Sequence, residues 1–174
     1  LGYTFKYVVT YRGQALPVGE IMSYARAAHA AAALRGARIG TMGYRDMRLY
    51  GTQHDGVSLR GRIGPEVEPF EMLEIAQAME RLDPAAVAAL GAEVTKRWTF
   101  VKPAQPQTIE NSVRLALALQ AKVRERGYQA LTYVDVDGVK KLLGFAPAGA
   151  LMLLHEEADL CTVPENDILG AVTQ

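Results

Sequence analysis

A chain of 174 residues with 49% hydrophobic content suits one domain with a substantial core. Its 19 basic residues balance its 19 acidic ones, so charge gives no case for nucleic acid or an anionic membrane as partner. No apolar run approaches the roughly 18–20 residues of a membrane-spanning helix, and the opening residues show no charged segment leading into an apolar one, as a secretory signal would.

Residues 4–11 (TFKYVVTY) are β-branched and aromatic and predict a strand. Residues 18–35 carry apolar groups at Ile21, Met22, Ala25, Ala28 and Ala32, the spacing of a helix that Gly36 stops. A short buried strand follows at Arg38-Ile39-Gly40-Thr41-Met42-Gly43. Residues 44–64 form a Gly- and Arg-rich connection, too long for a structureless loop without a binding role. Val67–Phe70 is a second short strand, which Pro69 confines to an edge or an early stop. Helices are expected at 71–81, at 84–97 with Asp83 as cap and Pro84 at the first position, and at 108–126 up to Gly127. Ala130–Val136 is a strand, 147–158 a helix, and Leu160–Val163 the last strand. Strands alternating with helices indicate a three-layer α/β fold of Rossmann-like or flavodoxin-like type, residues 1–174 forming one domain around a mainly parallel sheet with helices on both faces.

Ligands of open parallel sheets bind beyond the carboxyl ends of the strands. Two predicted strands end in acid pairs, Asp135-Val136-Asp137-Gly138 and Glu165-Asn166-Asp167. Residues two apart on an extended chain point the same way. Neighbouring strands would therefore bring up to four carboxylates together, a set that a hard cation such as Mn²⁺ or Mg²⁺ relieves of its repulsion. The same residues also suit simpler roles: Asp137-Gly138 as a turn and Glu165-Asn166-Asp167 as a helix cap. The loop Gly43-Tyr44-Arg45-Asp46-Met47-Arg48-Leu49-Tyr50 offers polar groups, two tyrosines and Met47 to a small polar ligand, or is simply a solvated loop. No dinucleotide or Walker-type glycine loop is present. His29, His54 and His155 have no ligand spacing, and His54 is the candidate among them because it lies in the Arg-rich loop. The single cysteine, Cys161, excludes an internal disulfide and suits a reducing cytoplasm.

The order Arg38-Ile39-Gly40, Gly43-Tyr44-Arg45-Asp46-Met47-Arg48, Gly64-Pro65-Glu66-Val67-Glu68, Ala130-Leu131-Thr132 and Pro164-Glu165-Asn166-Asp167-Ile168-Leu169-Gly170-Ala171 resembles the L-fucose and L-arabinose isomerase family. The closing segment and the Met47-Arg48 loop are its most specific parts, whereas 66–128 matches only in helical pattern. The resemblance implies the middle α/β domain of a longer, cytoplasmic, homo-oligomeric sugar isomerase. It implies Mn²⁺ held by two acids of this domain and a His beyond Gln174, so that the chain alone would be inactive. By position the acids fall among Asp137 (or Asp135), Glu165 and Asp167, as ligands and as the proton-transferring group. Met47, with Arg45 and Arg48, would face the sugar. Isomerisation through an enediol needs one such group to move a proton between C1 and C2. The alternative is a non-catalytic sugar-binding or regulatory α/β module, which keeps the Met47 loop and needs no metal.

Overall fold

The computed structural model describes residues 4–158 and 160–174. Four parallel strands, β1 (Arg38–Met42), β2 (Glu66–Phe70), β3 (Ala130–Tyr133) and β4 (Cys161–Val163), form one sheet in the order β2-β1-β3-β4. Helices cover both faces, which makes the three-layer α/β arrangement read from the alternating pattern. β3 is central and buried at all four positions, as expected of a strand covered on both sides. β2 is an edge, where the missing N–H of Pro69 is tolerated.

The two faces hold separate cores. On the larger, Met42, Leu131 and Tyr133 meet Ile75 of α3 (Met72–Glu80), Val94 of α4 (Pro84–Arg97), Leu115 and Leu119 of α5 (Pro106–Arg126), and Leu153 and Leu154 of α6 (Ala148–Ala158). On the smaller, Ile39, Ala130 and Val163 meet Leu59 of α2 (Gly56–Arg62) and Ile168 and Ala171 of α7 (Ile168–Thr173). Two glycines allow the close approaches that this packing needs. A Cβ on Gly40 would sit 2.5 Å from the Tyr128 ring, and one on Gly43, at φ +81°, 2.5 Å from Val134 Cγ1.

Several helix ends match their sequence signals. Asp83 accepts the Ala85 N–H ahead of Pro84, and α5 closes on Gly127 in the left-handed region. Other expectations are corrected. Residues 4–11 are irregular rather than a strand, because no described strand lies beside them to take their backbone hydrogen bonds. The 44–64 connection holds a 3-10 turn at Asp46–Arg48 and the helix α2, which Asp55 caps. β3 stops at Tyr133, and Asp135–Leu143 winds into a π-helix that ends at Gly144. The first helix, α1 (Val18–Gly36), forms where its periodicity places it, yet none of its residues is buried. No helix of the described residues is long and apolar enough to cross a membrane.

Candidate functional site

The sheet reverses its winding between β1 and β3, and the loops leaving these strands and β4 meet beyond their carboxyl ends. Asp46, from the loop after β1, fills the middle of this junction and is 0% exposed. Its carboxylate accepts the N–H groups of Asp137 at 2.7 Å, Val136 at 2.8 Å and Met47 at 2.9 Å. Asp135, at the exit of β3, hydrogen-bonds to Asp46 and accepts the Glu165 N–H at 2.9 Å. Two carboxyl groups thus stitch three loops together. Burial works against ionisation of Asp46, but its hydrogen bonds from Asp135 and the three N–H groups hold it below the usual carboxylate range. Burial and the neighbouring Asp46 push Asp135 up to about 6, against the opposing N–H of Glu165. The pair shares one proton below that pH.

This pair sets a pH dependence of stability. The unfolded Asp135 titrates near 3.8 and the folded one near 6. Between those values the native state binds more protons, so stability falls as pH rises from about 4 to about 6. Asp46 has the opposite sign and loses stability as pH drops below its ordinary range. The Asp135 shift corresponds to about 3 kcal/mol, which partial solvent exposure reduces to about 1–2 kcal/mol. Asp135→Asn can still accept the Glu165 N–H and donates to Asp46 without a proton. The variant is expected to be more stable than wild type by about 1–2 kcal/mol at pH 8 and no more stable at pH 4. Urea unfolding across that range checks it, and a constant difference at all pH values would refute the shared proton.

The β4 turn is shaped by its neighbours. Glu165 and Asn166 both adopt left-handed backbone, at φ 63° and 57°. Met47 and Arg48, across the carboxyl pair, do the same at 45° and 59°. No other non-glycine residue among those described has positive φ. Such conformations cost on the order of 1–3 kcal/mol each and persist only where surrounding contacts impose them. Asn166 is 3% exposed. Its side chain accepts the Thr41 hydroxyl at 2.7 Å and donates to the Tyr44 carbonyl, and its N–H reaches the Tyr133 carbonyl at 3.2 Å.

The residues singled out in the sequence share this pole but do not form one cluster. Asp137 is half-buried, pairs with Lys141 at 2.5 Å, and lines a recess of about 510 Å³ with Met47, Arg48 and Leu142. Asp167 caps α7 by accepting the Gly170 N–H at 2.9 Å, the simpler of its two anticipated roles. The half-buried Glu165 carboxylate has no hydrogen bond or ion pair among the described residues. Arg45 stacks over the Tyr50 ring at 4.6 Å. Met47 and Arg48 are exposed. A second recess, of about 320 Å³, opens beside the β1 exit between Thr41, Tyr44, Gln53, His54 and Asn166, over Val67, Pro69 and Ile168.

The oxygen donors at this pole are the kind Mn²⁺ takes, yet among the described residues no three His, Cys, Asp or Glu side chains lie close enough to hold an ion. Sequence reasoning passed over Asp46 and Asn166. Each lies inside a segment that had been singled out, but only burial reveals its role. No family model and no curated protein matches the chain.

Proposed function

We propose that this chain is the acidic α/β part of an aldose–ketose isomerase that moves a proton between C1 and C2 of a sugar. The observation that carries the reading is the position of the backbone strain. The left-handed pairs Met47-Arg48 and Glu165-Asn166 flank the Asp46–Asp135 junction, and Met47, Arg48 and Glu165 are residues that the isomerase resemblance selects. Strain of this kind collects where a side chain must be held for function. Glu165 is the best-suited proton carrier, because the residue is only half-buried and its carboxylate has no hydrogen bond or ion pair among the described residues. It would take the proton from C2 of the aldose and return it to C1 while the O2 hydroxyl proton passes to O1, so that C1=O becomes C1–OH, C2–OH becomes C2=O, and the carboxylate is regenerated. Mn²⁺ would require donors from outside this chain.

The 320 Å³ recess favours a second reading, a sugar-binding module without catalysis, since it offers apolar floor and polar rim but no acid. Turnover separates the two. The protein that carries this chain, assayed with L-fucose and L-arabinose, is expected to form ketose with Mn²⁺ and to lose at least about 100-fold in rate after chelation. Sugar binding without ketose formation, and without response to the cation, supports the module instead.

A further inference from the structure

We infer that Asn166 is a positioning residue, a latch that fixes the direction in which Glu165 leaves the sheet. The inference rests on the isomerase reading for its kinetic consequence. Asparagine tolerates left-handed backbone, which by itself explains its place in a tight turn. It does not explain why the side chain is buried and spent on partners far away in sequence. Thr41 lies 125 residues before it and Tyr44 lies 122 before it, both belonging to β1 and its exit loop.

The two contacts need opposite polarity. The Thr41 hydroxyl donates to Oδ1, and Nδ2 donates to the Tyr44 carbonyl. A primary amide places an acceptor and two donors on separate atoms of one short side chain, which suits the two contacts. Aspartate at this position would turn an oxygen toward the Tyr44 carbonyl. The backbone N–H of Asn166 adds a bond to the Tyr133 carbonyl at the end of β3. One residue therefore joins the exits of β1, β3 and β4. Glu165, immediately before it, is held from the other side by Asp135, which accepts its N–H. With both neighbours of its peptide fixed, the Glu165 side chain starts from a set point. Ile168 and Ala171 are buried in the smaller core, which anchors the helix that follows the turn.

Thr41 allows the latch to be opened without touching Glu165 or its peptide. Thr41→Val keeps the side-chain shape and removes the donor to Oδ1. Thr41→Ser keeps the hydroxyl. Both are compared with wild type in the protein that carries this chain, by two readouts. In the first, Thr41→Val is expected to lower kcat about tenfold with KM within about twofold, while Thr41→Ser stays within about twofold of wild type in both. In the second, amide exchange at Glu165 and Asn166 is expected to speed up about tenfold in Thr41→Val and to stay near wild type in Thr41→Ser. Unchanged exchange in Thr41→Val overturns the latch whatever the kinetics. Faster exchange with unchanged kcat overturns its positioning role. If wild type forms no ketose, the isomerase reading fails, and exchange alone decides whether the latch exists.

Discussion

Glu165→Gln is expected to lower ketose formation at least about 100-fold and to leave the melting temperature within about 2 °C of wild type. Gln keeps the size and one oxygen but cannot take a proton from carbon at neutral pH. The fold has little to lose, because the Glu165 carboxylate makes no hydrogen bond or ion pair with the described residues. Its structural role runs through its N–H, which donates to Asp135 and survives the substitution. A glutamate that served only as part of a helix cap would behave in the opposite way, with lower melting and intact rate. Asp167 already fills the capping role on α7, which removes that explanation for Glu165. Turnover near wild type in the purified variant would falsify the assignment of Glu165 as proton carrier.

Asp46→Ala is expected to cost about 3–4 kcal/mol, the largest stability loss for a single polar side chain at this pole. The carboxylate is 0% exposed and accepts three backbone N–H groups, from Met47, Val136 and Asp137. Alanine removes all three acceptors. Each N–H left without a partner costs about 1–3 kcal/mol, partly recovered where water enters. The loss of repulsion toward Asp135 offsets some of this above pH 6, so the measurement belongs near pH 5, where the pair shares its proton. For a domain of this size about 3 kcal/mol lowers melting by roughly 6–12 °C. A loss below 1 kcal/mol by urea unfolding at pH 5 would mean that these N–H groups find other partners and that Asp46 does not hold the junction.

Much of the fold was legible because its signals are local. Asp83-Pro84 opens α4 at the expected residue, and Gly127 closes α5. Ala130 opens a strand as its composition indicates, although that strand stops at Tyr133 rather than Val136, and of the two roles open to Pro69, edge or early stop, β2 takes the edge. The errors fall where local propensity meets no partner or is overruled. Residues 4–11 have strand composition, but among the described residues no sheet edge takes them up. Val134–Val136 continues the composition of β3, yet the N–H groups of Val136 and Asp137 turn to the Asp46 carboxylate and the chain coils into a π-helix.

The sequence by itself determined the alternation of strands and helices, the parallel sheet, and the segments that reach its carboxyl end. Those follow from side-chain spacing and capping chemistry, which act within a few residues. Only the tertiary structure decided how the acids divide. Asp137 is tied to Lys141, Asp167 to a helix end, and Asp135 to Asp46, while the Glu165 carboxylate has no such partner among the described residues. Asp46 lies 89 residues before Asp135, by 135 − 46, and Asn166 lies 125 after Thr41. Contacts of that range leave no periodic mark in the chain. They arise when parallel crossovers bring three strand ends together, and burial there makes every polar group find a partner.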